Sequence, residues 1–193
     1  MAGAFFEMDL PSHRQAPGVE ASRLALDFRA VFDRHVSYVT ATLGRLGVDD
    51  RDRDDLVSEV FVRVHRALPS YEVERPMKPW LFAFAARVAS EHRRLARHRR
   101  EVFVEVDMAS SDLAPDETIE RRQARQLLER ALAELDEPKR EVFVLHDLDE
   151  TPVPEVARAL GIPEGTAYTR LRAARAELTA TVKRLQQAER RTA

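Results

Sequence analysis

Residues 151–178 read TPVPEVARALGIPEGTAYTRLRAARAEL, and this pattern predicts two helices joined by a tight turn. In the first helix, apolar residues recur at helical spacing and therefore share one face: Val153, Val156, Ala157 and Leu160. Gly161 favours the end of that helix, and Pro163 suits the start of the next one.

The second helix combines an apolar stripe with a polar face. The stripe repeats at steps of four, three and four residues: Ala167, Leu171, Ala174 and Leu178. At 100° per residue, Thr169, Arg172 and Ala176 lie opposite the stripe, with Tyr168 and Arg175 on its flanks. A short helix followed by such a basic helix is the geometry that enters a DNA major groove. An ordinary helical hairpin with a solvated arginine face is the alternative, but the turn residues, the small core residues and the exposed donors together favour DNA binding.

The formal net charge of −2 conceals blocks of opposite sign. Residues 87–100 contain six arginines and one glutamate, whereas residues 101–118 contain six acidic residues and no basic one. Residues 166–193 contain seven basic residues and two acidic ones. The pattern is therefore two basic surfaces separated by an acidic segment, and basic surfaces of this kind favour nucleic acid as a partner.

Composition excludes several classes of protein. The chain has no cysteine, so a disulfide framework and a cysteine-based zinc site are both excluded. No run of residues is apolar enough to span a bilayer, and the first residues lack the pattern of a secretory signal. We therefore expect a cytoplasmic protein without membrane insertion.

The periodicity predicts two small all-α domains joined by a tether. Residues 1–21 have no period and are expected to form a loose extension. The first domain, 22–100, contains a helix that begins at Ser22 and ends near Gly44–Gly47, and a second helix over 54–68. A proline-bounded loop follows over 69–79, and a third helix runs from Trp80 to about Arg100. The acidic linker covers 101–118, in which residues 102–106 suit a short extended segment.

The second domain is predicted over 119–187, followed by a tail over 188–193. A helix begins near Thr118, and a short helix over 138–147 precedes the helix pair described above.

The helix from Trp80 to Arg100 is aromatic in its first half and basic in its second. Aromatic rings stack on unpaired bases, and arginines neutralise phosphates. For the apolar residues of this helix, burial in the core is a better interpretation than contact with bases, because so small a domain requires their burial for stability. For the arginine cluster an electrostatic role is favoured.

The ordered motifs together resemble the sigma-70 family of bacterial RNA polymerase sigma factors, specifically its compact extracytoplasmic-function group. The resemblance covers roughly residues 22–185. It is carried by DDLVSEVFVRVHRAL (54–68), by KPWLFAFAARVASEHRRLARHRR (78–100), and by the stretch from Leu132 to Leu178. It implies a region 2-like helical bundle and a region 4-like helix–turn–helix.

The resemblance also implies roles for particular residues. The helix over 54–68 matches the one that docks on the polymerase β′ coiled coil, through Asp55, Leu56, Ser58, Glu59 and Val62. Loop 69–79 matches the segment that holds a flipped-out base, and the adjoining helix matches the one that melts and reads the minus-ten element. The implied residues are Tyr71, Lys78, Trp80, Arg87, Glu91, Arg93, Arg94 and Arg97.

In the second domain the resemblance assigns the minus-thirty-five element to the recognition helix, through Thr166, Tyr168, Thr169, Arg170, Arg172 and Arg175. The implied partners are core RNA polymerase, promoter DNA as duplex and melted strand, and an anti-sigma factor. No cofactor, metal or catalytic residue is implied. We expect no homo-oligomer, since no leucine heptad or apolar surplus indicates one.

Two alternatives remain open at the level of sequence. A helix–turn–helix regulator that acts without polymerase would share the second domain but would leave the helix from Trp80 to Arg100 unexplained. The second alternative is an enzyme. Against it, the six histidines are scattered, and the sequence has no metal-ligand pair at helical spacing, no glycine-rich phosphate loop and no nucleophile elbow.

Overall fold

A computed structural model describes residues 27–102 and 119–192, with side chains over 27–96 and 123–191. The expected extension over 1–21, the start of the first helix at Ser22 and most of the acidic linker lie outside these residues. Within them the fold is all-α, as predicted. The helices are α1 (Phe28–Arg45), α2 (Asp50–Ala67), α3 (Met77–Val102), α4 (Ile119–Glu134), α5 (Glu137–Phe143), α6 (Val153–Leu160) and α7 (Glu164–Thr192).

Three helices form the N-terminal domain. The Asp27 carboxylate caps α1 by accepting a hydrogen bond from the Arg29 backbone N–H at 3.0 Å. Pro69 is the second residue of a short 3-10 turn (Leu68–Ser70) after α2, and Pro79 lies in the first turn of α3. α3 therefore begins at Met77, three residues before the predicted start. The helices pack on one another through fully buried side chains: Val39, Leu43, Val60, Val64, Leu81, Phe82 and Val88.

The C-terminal domain is built around α7, against which α4, α5 and α6 all pack. The predicted helix over 138–147 is present, but it changes register. α5 continues directly into a π-helical turn (Val144–Leu148), so the i→i+4 bonding ends at Phe143. Asp136 caps α5 by accepting from the Lys139 N–H at 2.9 Å.

The two domains pack against each other, a placement that sequence periodicity does not predict. α3 contacts α6, and α1 contacts α4. Buried residues from both domains belong to a continuous apolar cluster. In the part of the chain that the structure describes, no helix has the length and hydropathy needed to cross a membrane.

Gly47 allows this contact at the end of α1. Its φ of +86° lies in the left-handed region, and a Cβ atom there would lie 2.6 Å from Nη1 of Arg140. The guanidinium of Arg140 donates to the adjacent Leu46 carbonyl at 2.8 Å. Position 47 therefore requires a residue that tolerates positive φ and has no side chain.

We expect Gly47→Ala to lower the free energy of unfolding by about 1–2 kcal/mol, because alanine is strained at positive φ and meets the Arg140 guanidinium. Gly165→Ala is the matched control, since a Cβ there meets nothing within 4 Å and the residue lies in α7. Urea unfolding followed by circular dichroism measures both. Equal effects of the two substitutions would contradict the account of Gly47.

Candidate nucleic-acid interface

The helix–turn–helix is formed as the sequence predicts. Gly161 ends α6 with φ +64°, and the Pro163 carbonyl accepts the backbone N–H groups of Thr166 and Ala167. The predicted stripe of α7 is buried at all four positions, with exposed fractions of 1, 4, 0 and 8% for Ala167, Leu171, Ala174 and Leu178. The apolar stripe therefore faces the core, and the opposite face of α7 is free to contact a partner.

That opposite face carries the predicted DNA-contacting side chains. Tyr168 is 57% exposed, and Thr169 and Arg172 are exposed beside it. The Thr169 hydroxyl donates to the Gly165 carbonyl at 2.8 Å, so its proton is already used within the helix. Thr166 is half-buried. Tyr168 and Arg172 are thus exposed on this face and carry hydrogen-bond donors.

Arg175 and Arg170, on the same helix, differ from these residues in that each lies against other parts of the protein. The Arg175 guanidinium makes a bidentate pair with Asp147 of the π turn, at 2.9 and 2.5 Å. That hydrogen-bonded pair raises the pKa of Arg175. Arg170 is half-buried and lines a cleft toward the N-terminal domain.

On α3, Arg87 and Arg94 are exposed and Glu91 lies between them on the same face. The Glu91 carboxylate accepts two hydrogen bonds from Arg63 of α2, at 3.0 and 2.6 Å. These bonds lower the pKa of Glu91, which therefore stays ionised and links α2 to α3. Among the described side chains of this face, which end at residue 96, Arg87 and Arg94 are the exposed cations.

Arg93 differs from the other predicted DNA-contacting arginines. It is half-buried, donates to the Leu46 carbonyl, and lies 2.8 Å from the Glu137 carboxylate of α5. Its charge is thus paired at the contact between the domains, so the structure separates it from Arg94. The side chain of Arg97 lies outside the described residues.

The aromatic residues predicted to hold melted DNA pack together. Tyr71 is 9% exposed, its ring centroid lies 4.7 Å from that of Trp80, and Trp80 lies 4.9 Å from Phe84. The Tyr71 hydroxyl donates to the Arg75 carbonyl, which closes the loop over 71–76. Lys78 is exposed in the first turn of α3, with its Nζ 5.5 Å from the Tyr38 ring centroid. Tyr71 is therefore buried beneath this loop, and Trp80 is half-buried beside it.

The face of α2 that is predicted to dock on polymerase is largely exposed. Asp55, Ser58 and Glu59 are exposed, and Val62 is 49% exposed although it is apolar. Leu56 is different, because it is only 8% exposed and belongs to the core. The accessible surface is thus acidic with one apolar side chain, Val62. Leu56 lies in the core beneath this surface.

Sequence reasoning missed a cleft of about 560 Å³ between α3 and the C-terminal domain. Arg87, Glu91 and Arg94 line one side of it, and Glu137, Glu141 and Arg170 line the other. No sequence pattern singled out Glu137 and Glu141 as site residues. They line the cleft with α3 only because the two domains pack together.

Burial raises the pKa of Glu141 from its ordinary value of 4.5 to about 7, and the neighbouring Glu137 adds to the rise. Arg93, Arg170 and Arg140 oppose it without cancelling it. The carboxyl group is therefore partly protonated near neutral pH, because desolvation disfavours its charged form.

Two family models match the chain. The model described as Sigma-70 region 2 matches residues 31–100, and the model described as Sigma-70, region 4 matches residues 125–178. The first covers α2 and α3 up to residue 100, and the second covers the helix–turn–helix.

Curated relatives and a solved structure agree with these matches. The chain is 29% identical over 158 residues to RNA polymerase sigma factor NccH of Alcaligenes xylosoxydans xylosoxydans, covering 79% of this chain and 85% of that one. It is 29% identical over 170 residues to ECF RNA polymerase sigma factor SigL of Mycobacterium tuberculosis, covering 87% and 95%. The structure of CnrH in complex with the cytosolic domain of CnrY superposes with a TM-score of 0.61 at 26% identity, covering 86% and 95%.

We expect Glu141→Gln to stabilise the protein more at pH 8 than at pH 5. The unfolded chain releases this proton near pH 4.5 and the folded chain near 7, so stability falls as pH rises between those values. The gain at pH 8 is on the order of 2–3 kcal/mol, and it shrinks as pH approaches 5. Urea unfolding at both pH values measures it, with Glu129→Gln, exposed on α4, as control. A gain that is the same at both pH values would contradict the burial argument.

We expect Arg94→Gln and Arg93→Gln to differ in their effect on the salt dependence of the promoter complex. Arg94 is exposed on the basic face, so its loss lowers the slope of log K against log salt by about one. Arg93 is paired internally, so its loss leaves the slope unchanged and lowers stability instead. Filter binding over a salt series distinguishes them, and equal slope changes would contradict the assignment.

Proposed function

The chain belongs to the sigma-70 family of RNA polymerase sigma factors, in its extracytoplasmic-function group, and on that premise we propose how its residues direct promoter-specific initiation. The N-terminal domain binds core RNA polymerase and the minus-ten element, and the C-terminal domain binds the minus-thirty-five element. The observation that carries this proposal is a pair of exposed faces: the polar face of α7 opposite its buried stripe, and the basic face of α3. They lie in the two regions that the family models match, and in the same order along the chain.

Recognition of the minus-thirty-five element falls to the start of α7. Arg172 can donate to the two acceptors of a guanine edge in the major groove, and Tyr168 lies within reach of the same groove or its phosphates. Arg175 is held by Asp147, which supports a fixed contact to the DNA backbone rather than a mobile one. Base selectivity is thus assigned mainly to Arg172.

Opening of the minus-ten element is assigned to α3 and the loop before it. Arg87 and Arg94 neutralise phosphates, and the loop over 71–76 holds an extruded base. Extrusion costs a few kcal/mol, which stacking and hydrogen bonds to the captured base return. Tyr71 and Trp80 act chiefly as the packed floor of this loop, since Tyr71 is 9% exposed.

Docking on the polymerase is assigned to the exposed face of α2, formed by Asp55, Ser58, Glu59 and Val62. The apolar Val62 within an acidic surface suits a partner that is basic with an apolar contact. Because the solved relative CnrH is bound to the cytosolic domain of another protein, we include an anti-sigma factor among the partners. With these partners, we propose that the protein acts in the cytoplasm.

Sigma factors regulate transcription, and the proposed mechanism requires no catalytic residue in this chain. Strand opening is driven by binding free energy, since captured bases and phosphates stabilise the melted state. We further propose the domain bounds 22–100 and 119–187, with 101–118 as the linker between them.

Run-off transcription with purified core polymerase tests the function. The wild-type chain directs specific starts from a promoter library, and Arg172→Ala relaxes upstream selectivity by about tenfold, the loss expected for one bidentate base contact. Arg190→Ala is the matched control, because it is exposed on the same face of α7 five turns later, about 27 Å away.

Three outcomes would contradict the proposal. No specific start above core polymerase alone would refute the function. Tight duplex binding without polymerase would favour a polymerase-independent regulator. An equal effect of the two arginine variants on all promoters would refute the role of Arg172.

A further inference from the structure

The cleft that α3 shares with α5, α6 and α7 receives three arginine side chains. Arg87 and Arg94 come from α3, and Arg170 comes from α7. Among the side chains that the structure describes, over 27–96 and 123–191, no carboxylate lies within the 4.0 Å of an ion pair from any of the three. Their charges are therefore left for a ligand or for solvent.

The three carboxyl groups of the same cleft are each neutralised in another way. Glu91 accepts two hydrogen bonds from Arg63, at 3.0 and 2.6 Å. Glu137 lies 2.8 Å from the guanidinium of Arg93. Neither Arg63 nor Arg93 belongs to the lining of the cleft. Glu141 stays partly protonated near neutral pH, because burial disfavours its charged form. The lining as a whole therefore carries an excess of positive charge.

Arg87, Ser90 and Arg94 form one ridge along α3. They recur at steps of three and four residues, so they lie within about 60° of one another around the helix. The Ser90 hydroxyl has no hydrogen-bond partner among the described residues. By contrast, Ser58 and Thr169 on other helices each donate to the carbonyl four residues earlier. Ser90 thus offers an unused donor between two guanidinium groups.

The rest of the lining is apolar. It consists of small or aliphatic side chains: Ala83, Ala86, Pro138, Ala159 and Leu160. The cleft has a volume of about 560 Å³, which falls within the range of about 300–1,000 Å³ that small-molecule sites occupy. An apolar surface with a few converging polar groups is the composition expected of such a site.

The donors indicate which chemistry the ligand has. Guanidinium groups bind phosphate through paired N–H···O hydrogen bonds, and a serine hydroxyl donates to the same oxygens. A single phosphate group carries at most about two negative charges, so three arginines match a ligand with more than one phosphate. A protonated Glu141 donates a hydrogen bond to a phosphate oxygen, whereas an ionised one repels it.

We propose that this cleft is a binding site for a small molecule that carries two or more phosphate groups, held by Arg87, Arg94 and Arg170 with Ser90 as a further donor. The site goes beyond the proposed function, and only its consequence rests on that function. Because Arg87 and Arg94 are also assigned to the phosphates of the minus-ten strand, the bound ligand competes with that strand for them.

Isothermal titration calorimetry of the full chain, without polymerase or DNA, tests the site. The probes are pyrophosphate and ATP in magnesium-free buffer, and we expect binding at one site per chain. Tighter binding of ATP identifies a nucleotide whose base contacts the apolar lining. Equal binding identifies an inorganic polyphosphate. Both results support the proposal, and they distinguish the two sources of the ligand.

Three arginine variants locate the site. Arg170→Gln weakens binding by about tenfold or more, the loss expected for a charge-assisted hydrogen bond. Arg94→Gln has a similar effect with less risk to folding, because Arg94 is exposed. Arg34→Gln is the matched control, since Arg34 is exposed on α1 and does not line the cleft. It leaves the affinity unchanged. Circular dichroism verifies that each variant is folded.

The pH dependence of binding gives a readout that a structural role would not change. Burial and Glu137 raise the pKa of Glu141 to about 7, while Arg93, Arg170 and Arg140 oppose the rise. About nine tenths of Glu141 is therefore ionised at pH 8 and about one tenth at pH 6. Glu141→Gln cannot ionise, so it binds the probes about tenfold more tightly than wild type at pH 8 and equally at pH 6.

Two results would overturn the proposal. One is the absence of binding of both pyrophosphate and ATP to the wild-type chain. The other is unchanged affinity in folded Arg170→Gln and Arg94→Gln, because the probe would then bind elsewhere on the basic surface. Run-off transcription that fails while the probes still bind refutes the proposed function alone. Specific transcription by a chain that binds neither probe refutes this site alone.

Discussion

The arrangement of the molecule depends on a single buried cation, the guanidinium of Arg140. It donates to the Leu46 carbonyl at 2.8 Å and to the Ala133 and Leu135 carbonyls at 2.9 Å each. These carbonyls lie at the ends of α1 and α4, where a helix lacks partners and carries partial negative charge. Burial and the nearby Arg93 lower the pKa of Arg140. Its charge is tolerated because these carbonyls accept its hydrogen bonds and the nearby carboxylates of Glu137, Glu141 and Asp136 oppose that fall.

The elements of the fold were predictable because their apolar spacing is regular. The stripe of α7 and the end of α6 at Gly161 agree with the pattern, since they depend on residues within one helix or its cap. The exposed positions of Tyr168, Thr169 and Arg172 followed from the same helical rotation. The residue spacing within one helix was therefore enough to predict which side chains of α7 are exposed on the surface assigned to the minus-thirty-five element.

The arginine cluster was only partly predictable, although a signal was present. At 100° per residue, Arg94 lies within about 20° of Arg87, whereas Arg93 is about 120° away, toward the buried side of α3. The prediction grouped the arginines of residues 87–100 as one basic cluster and did not use this difference in angle. The partner of Arg93, Glu137, lies 44 positions later in the chain, and no periodicity relates residues across that distance. Tertiary packing alone decides which arginine faces solvent.

The π turn between α5 and α6 has a consequence for how the chain can vary. A widened turn of this kind amounts to one surplus residue within an otherwise α-helical path, over Val144–Leu148. Removing any one of those residues would restore ordinary pitch and rotate everything before α6 by about 100°. The orientation of α6 and α7 relative to the helices before them thus depends on the number of residues in this turn. That number is constrained even at positions where the side chain can be replaced.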